Sequence, residues 1–184
     1  MDAGAIRTLK PNVTQKEAVQ AFSAPGFSTL YWRTRIGPLQ KIADAYVPFW
    51  FYRVRYRLGR AYHTRLFALD AVDGSLDLFE FPRIPEQDEL VSVDSCNRMM
   101  PSLSIERAEE ILRQKALRVI FQQGFFKLRE ARLETAREPA EMYLPYWLGF
   151  YGGPESVRCR VIDAVRRRIE GAKASAFFEQ WLAD

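Results

Sequence analysis

Arginine side chains on segments of alternating polarity are the residues of this sequence best suited to bind a ligand. The chain has 184 residues, a formal net charge of +4, and 21 arginines against 6 lysines. Guanidinium groups form paired hydrogen bonds with carboxylate and phosphate groups. Residues two apart on a strand share a face, so we expect one basic stripe on a sheet. Its members are Arg53, Arg55, Arg57, Arg65, Arg158 and Arg160.

The same pattern also fits a solvated sheet face whose arginines pair with Asp and Glu, and the sequence favours this alternative. A further basic cluster, 166–168, follows the last of these segments.

Catalytic and metal-binding patterns are absent from the sequence. His63 is the only histidine, so a catalytic triad or a multi-histidine metal site would depend on it alone. Cys96 and Cys159 lack the CxxC spacing of a zinc or redox site, and we expect two reduced thiols. There is no glycine-rich phosphate-binding loop. We therefore expect no catalytic residue, no metal and no cofactor.

Asp70 and Asp163 occupy equivalent places in the two halves of the chain. Two carboxylates held close together would raise one pKa and could perform acid–base chemistry. Aspartate at a strand end more often accepts backbone N–H groups of the following turn. We favour the turn role.

These residues belong to an internal repeat. The block at 46–50 (Tyr-Val-Pro-Phe-Trp) recurs 97 positions later, at 143–147, as Tyr-Leu-Pro-Tyr-Trp. The segment 69–72 recurs 93 positions later, and the pair Thr14 and Ala18 recurs 90 positions later as Ser104 and Ala108. Three blocks in the same order indicate a duplication. Its signature residues are Tyr46, Pro48, Trp50, Asp70, Tyr143, Pro145, Trp147 and Asp163.

Each copy predicts a helix followed by antiparallel strands. Thr14 with Glu17 is a capping-box pattern that begins a helix ending near Phe22, and Ser104 begins its counterpart. Strands are predicted at 50–57, 65–70 and 75–81, then at 143–151 and 157–163. An amphipathic helix is predicted over 172–182. The strands around both aromatic blocks are apolar on both sides, so we expect burial on both faces.

The predicted fold is α+β: two tandem helix-plus-antiparallel-strands repeats in a pseudo-twofold arrangement, with a C-terminal helix. The first repeat takes residues 1–84, and an acidic, irregular linker takes 85–103. The second repeat, with the terminal helix, takes 104–184. The first ten residues are expected to be poorly ordered.

The residues Thr14 and Ala18 with the turn 70–74 (Asp-Ala-Val-Asp-Gly), and Ser104 and Ala108 with 163–165 (Asp-Ala-Val), resemble PepSY-type repeats. The second copy has Arg167 where the first has Gly74. The resemblance implies a small α+β module that accompanies peptidase propeptides or membrane proteins, mostly outside the cytoplasm, and binds or inhibits.

Three functions follow as hypotheses, in this order. The first is a non-catalytic interaction module that binds another protein or peptide. The second is a nucleic-acid or anionic-ligand binder that uses the arginine-rich sheet face. The third is an enzyme or carrier with an apolar pocket between the repeats, near Trp50 and Trp147. The sequence has no apolar run of the ~20 residues that span a bilayer and no signal-like start, so we expect a cytoplasmic location. It does not predict an oligomeric state.

Overall fold

The computed structural model describes residues 5–24, 30, 32, 34–58, 60–122, 133–152 and 157–183. Within them the chain is mixed α+β, with one curled sheet of eight strands and three helices. The strands are β1 (Ala5–Leu9), β2 (Leu39–Leu58), β3 (Ala61–Asp70), β4 (Phe79–Phe81), β5 (Leu90–Asp94), β6 (Leu133–Tyr151), β7 (Arg158–Asp163) and β8 (Arg168–Ile169). The helices are α1 (Gln15–Ser23), α2 (Ile105–Gln122) and α3 (Ala172–Ala183). The predicted α+β class is confirmed.

Two long antiparallel strands, β2 and β6, form the centre of the sheet. The strand order is β4-β3-β2-β6-β1-β5, while β7 pairs with β6 and β8 with β7. Aromatic and branched residues, which favour strands, dominate both central segments. At the middle of the pair Val47 lies opposite Leu144, the residue 97 positions later. The two aromatic blocks are therefore neighbours within a single sheet.

Helices cover both faces of this sheet. On one side, which we call the helix face, α2 packs on β2 and β3, and α1 packs on β6 and β7. We call these two parts the β2–β3 half and the β6–β7 half. The opposite side, the α3 face, is covered by Phe177 and Phe178 of α3 and by Phe79 of β4. The predicted burial of the block strands on both faces is confirmed.

The three predicted helices are present at their expected positions. Thr14 caps α1: its hydroxyl accepts the N–H of Glu17, whose carboxylate accepts the N–H of Thr14 at 2.8 Å. The capping box is confirmed. However, α1 has nine residues and α2 has eighteen. Among the described residues, no helix combines the length and the apolar character needed to cross a bilayer.

Two predictions about irregular segments were wrong. Residues 5–9 form β1 instead of a disordered start, and the linker 85–103 contains a 3-10 turn (Gln87–Glu89) and β5. The two short strands pair with each other, Ile6 opposite Val93. Each is too short to be recognised alone, but their pairing satisfies the backbone polar groups of both. The division into 1–84, 85–103 and 104–184 stays a prediction.

The third strand of the first copy is shorter than predicted and the first strand of the second copy is longer. Residues 75–78 lie outside the strands because the backbone N–H groups of Ser75 and Leu76 donate to the side chains of Asp73 and Asp70. The strand β4 therefore covers only Phe79–Phe81. In contrast, β6 begins at Leu133 and not at the predicted position 143. Its first residues pair with the C-terminal part of β2, where Leu133 lies opposite Tyr56.

Candidate ligand-binding cleft

The six arginines predicted to form one stripe lie on opposite faces of the sheet. Directly paired residues on neighbouring strands share a face. Val54 of the helix face pairs with Arg65, whereas the arginines that alternate with Val54 lie on the α3 face: Arg53, Arg55 and Arg57. Arg158 and Arg160 pair with Tyr151 and Gly149 and so lie on the helix face. The structure therefore does not bring the six together.

Most arginines of the β2–β3 half face a carboxylate. Their nitrogen-to-oxygen distances are 2.7 Å for Arg53–Glu138, 3.8 Å for Arg55–Glu134 and 3.5 Å for Arg65–Glu80. Exposed pairs of this kind contribute little to stability. They do balance the charge of this hairpin, as the solvated-face alternative predicts.

The tryptophans of the two aromatic blocks are bound into the sheet. The indole N–H of Trp50 donates to Glu141 at 3.0 Å, and that of Trp147 donates to the carbonyl oxygen of Val13 at 2.8 Å. Tyr46 pairs with Pro145, and Pro48 with Tyr143. Neither indole lines any of the clefts described below. These blocks support the sheet.

Asp70 is fully buried and organises the turn after β3. Its carboxylate accepts backbone N–H groups of Asp73 at 3.1 Å, Gly74 at 2.8 Å and Leu76 at 2.8 Å. Burial and the nearby charge of Asp73 raise the pKa of Asp70 to about 6, against the lowering effect of these hydrogen bonds. The carboxylate is thus engaged by its own turn.

Asp163 has the same role after β7. One of its oxygens accepts the N–H groups of Val165 and Arg166 at 2.9 and 2.8 Å. Burial raises the pKa of Asp163. The hydrogen bond from the backbone N–H of Arg166 and the positive charge of that residue lower the pKa. The two aspartates serve separate turns, which supports the turn role over a catalytic pair.

A cleft with a volume of about 850 Å³ lies beside β7. It is bounded by β7, by the segment carrying Trp32 and by the first turns of α3. Apolar walls come from Trp32, Ile36, Ile169, Ala172 and Ala176, and the cations are Arg35, Arg158 and Arg160. We call it the Arg160 cleft.

Arg160 is a fixed, buried cation in this cleft. The residue is only 4% exposed. Its Nη1 lies 3.4 Å from the hydroxyl of Tyr151, and its guanidinium carbon lies 5.8 Å from the ring centre of Trp32. That distance is within the range of a cation–π contact. Polar contacts of this kind offset the cost of burying the charge.

In the β6–β7 half, the cross-strand pair Gly149–Arg160 occupies the place that Tyr52–Phe67 occupies in the β2–β3 half. Gly149 lies 97 positions after Tyr52, and Arg160 lies 93 positions after Phe67. Both aromatic residues are fully buried beneath α2. A Cβ atom on Gly149 would lie 2.9 Å from the ring of Phe22, so glycine permits the close approach of α1. A glycine and a cation thus stand where the other half has two buried aromatic residues.

The helices that cover the two halves differ in length. The second half of α2 places Ala116 and Ile120 over the β2–β3 half. On the β6–β7 half α1 ends at Ser23, and Trp32 forms the wall instead, with its ring centre 5.3 Å from that of Tyr151.

The lining of the Arg160 cleft has more positive than negative charge. Its two carboxylates are engaged: Glu179 lies 3.1 Å from Arg158, and Glu170 lies 2.7 Å from Arg168. Arg35 is exposed and has no ion pair within the described part of the chain. The cleft therefore favours a negatively charged group.

The described residues that line the cleft include the hydroxyl of Ser175 and the two paired carboxylates, Glu170 and Glu179, but no histidine or cysteine. Cys159 of β7 is buried, and burial raises the pKa of its thiol to about 12, so it stays protonated. His63 is exposed and stacks on Tyr56 at 5.6 Å, remote from the residues of the cleft. The arrangement can bind and orient an anion.

Sequence reasoning named Arg158 and Arg160 but missed Trp32 and Arg35. The aligned copies did contain a signal, because a buried pair such as Tyr52–Phe67 does not exchange for Gly149–Arg160 in a solid core. Arg35 aligns with Arg132 in the repeat, but that match does not indicate a ligand contact, and Trp32 lies beyond the matching blocks.

Comparison with protein-family models, with curated proteins and with solved structures finds no significant match to this chain. The resemblance to PepSY-type repeats stays an expectation from the sequence.

Proposed function

We propose that this chain is a non-catalytic binding protein that holds an amphipathic carboxylate in the Arg160 cleft. Of the three functions expected from the sequence, the anionic-ligand binder is the one that this cleft supports. The observation that carries the proposal is a buried arginine lining a cleft of about 850 Å³ at the position where the other half has Phe67. Ligand sites typically have ≈ 300–1,000 Å³ and combine apolar walls with a few polar groups.

The proposal includes a duplicated scaffold with pseudo-twofold symmetry, and equivalent contacts support it. The N–H of Asn12 donates to the carbonyl oxygen of Ala164, and the N–H of Ser102 donates to that of Ala71. These donors are 90 positions apart and the acceptors 93, as the repeat predicts. By this scheme each copy's first helix covers the hairpin of the other copy, which interlocks the two.

The chemistry of the ligand follows from the two kinds of wall. A guanidinium forms two parallel hydrogen bonds with a carboxylate, and Arg160 is held in place before a ligand arrives. Ile36, Ile169 and Ala176 offer apolar surface beside it. The ligand therefore carries a carboxylate on an apolar or aromatic body.

Thermal unfolding with a panel of aryl and alkyl carboxylates, each paired with its uncharged amide, tests the proposal. A ligand at 100 times its Kd stabilises the fold by about 2.7 kcal/mol, which raises the Tm of a chain of this size by several degrees, roughly 5 °C. We expect this shift for a carboxylate and not for its amide. Arg160→Met should abolish the difference, whereas Arg53→Met, on the α3 face, should leave it unchanged.

If no carboxylate stabilises the protein more than its amide does, the proposed function is wrong. Equal stabilisation of the Arg160→Met variant would also contradict it, because the buried cation would then play no part.

A further inference from the structure

A second cleft, which shares no lining residue with the Arg160 cleft, is lined mainly by cations. It has a volume of about 490 Å³ and lies between α2, β8 and the start of α3. Asp77 is the one carboxylate among the described residues that line it. The cations are Lys115, Arg118, Arg166, Arg168 and Lys173. We call it the polycationic cleft.

Two of these cations are held in place by the fold. The Nζ of Lys115 donates to the carbonyl oxygen of Ser75 at 3.1 Å and to that of Leu76. The guanidinium carbon of Arg166 lies 3.5 Å from the ring centre of Phe79, and its Nη2 donates to the carbonyl oxygen of Leu78. Its Nη1 also lies 3.8 Å from a carboxylate oxygen of Asp163. These contacts hold both cations at the base of the cleft.

The remaining cations are exposed around this base. Arg168 is shared between Asp77 at 3.3 Å and Glu170 at 2.7 Å. Arg118 and Lys173 have no ion pair within the described ranges. Burial lowers the pKa of Lys115, while the negative charge of Asp70 raises it. Among the described residues that line the cleft, five cations face one carboxylate, so an anion would be favoured.

We propose that the polycationic cleft binds a compact group with several phosphates, such as a nucleotide triphosphate or a short inorganic polyphosphate. Five cations contributed by α2, α3 and the segment from 166 to 168 surround one space. A single monoanion would contact only part of this set. A chain of two or three phosphates can contact the fixed pair and the exposed cations together.

Isothermal titration with sodium tripolyphosphate, orthophosphate and adenosine triphosphate, in low salt without metal ions, tests the site. We expect tripolyphosphate to bind at least about tenfold more tightly than orthophosphate. Arg118→Ala and Lys173→Ala should each weaken it by roughly fivefold, the loss expected when one exposed charge-assisted contact is removed. Arg107→Ala is the matched control on α2, because Arg107 is exposed and pairs with Glu110.

The nucleotide arm distinguishes the two sources of the phosphates: equal affinity means that phosphates alone are recognised, and tighter nucleotide binding means that the base contributes. Equal affinity for orthophosphate and tripolyphosphate would overturn the proposal. So would unchanged tripolyphosphate binding by a folded variant that lacks both Arg118 and Lys173. Arg160→Met should bind tripolyphosphate like the wild type, so failure of the Arg160 cleft leaves this result interpretable.

Discussion

The two halves of the sheet carry matching blocks of sequence but enclose different spaces on the helix face. In the β2–β3 half, Tyr52 and Phe67 are fully buried under the long helix α2. In the β6–β7 half, Gly149 and Arg160 take their places beneath the short helix α1, and a cleft of about 850 Å³ lies beside them. One half is filled and the other is open.

This difference separates residues that support the fold from residues available to a ligand. The features common to both halves, such as the aromatic blocks and the aspartate turns, make internal hydrogen bonds. Arg160, the buried cation of the Arg160 cleft, stands at a position where the halves differ. A duplicated scaffold can keep one copy as a solid support while the other changes, because the shared central strands stabilise both.

The largest effect should come from truncating a buried core side chain at one of the aligned positions. Phe67→Ala should lower the free energy of unfolding by about 3–5 kcal/mol, because it leaves a cavity beneath α2. Arg160→Met should change it by less than ~1 kcal/mol, because the cost of burying the charge disappears together with its polar contacts while apolar volume is kept. Urea unfolding followed by circular dichroism measures both. Equal, large losses would mean that Arg160 supports the core, contrary to the comparison.

The sequence predicted the parts of this fold that local patterns determine. The capping box at Thr14, the alternation around Trp50 and the Asp-Ala-Val turns each depend on residues within a few positions of one another. Their prediction succeeded for that reason. The burial of both faces around the aromatic block also followed, since residues 46–52 of β2 are apolar on both sides.

The remainder depends on register and on contacts between distant segments. Arg65 shares a face with Val54 because of the β2–β3 pairing, which a one-residue slip would reverse. Likewise, β1 and β5 are too short to be recognised separately in the sequence, and each forms a strand because it pairs with the other. The Arg160 cleft joins β7, Trp32 and α3, and no pattern in the sequence connects these three.

The two turn aspartates should differ in the cost of an amide substitution. Both oxygens of Asp70 accept backbone N–H groups. The amide N–H₂ of Asp70→Asn would therefore face a backbone donor, the N–H of Gly74 or of Leu76, and leave it without an acceptor. We expect a loss of about 1–3 kcal/mol at pH 7. The second oxygen of Asp163 accepts no hydrogen bond from the described residues and lies 3.8 Å from Nη1 of Arg166. Asp163→Asn loses this ion pair but opposes no backbone N–H, so it should cost less than Asp70→Asn. Equal costs in urea unfolding would contradict this difference between the turns.

The cost of Asp70→Asn should also depend on pH. The folded pKa of Asp70, about 6, lies above the ordinary value of 3.8, so the folded state retains its proton over this interval. Its stabilising contribution is complete below pH 4 and is lost as the pH rises through 6. The substitution should therefore cost more at pH 4 than at pH 7, by at most about 3 kcal/mol. A cost that is smaller at pH 4 would contradict the raised pKa.

The smallest effect concerns the position where the two turns differ in residue but agree in conformation. Gly74 has a φ of 70°, and Arg167 has a φ of 57° at the aligned position. A side chain in this left-handed region costs roughly 1–2 kcal/mol, and glycine avoids that strain at some cost in chain entropy. The Arg167→Gly variant should therefore be about 0.5–1 kcal/mol more stable than the Arg167→Ala variant. Both variants lose the exposed ion pair with Glu17, so this loss cancels in the comparison. Thermal unfolding of the two variants compares backbone strain alone. If the alanine variant is the more stable, the second turn has adapted to a side chain and the two turns are not equivalent.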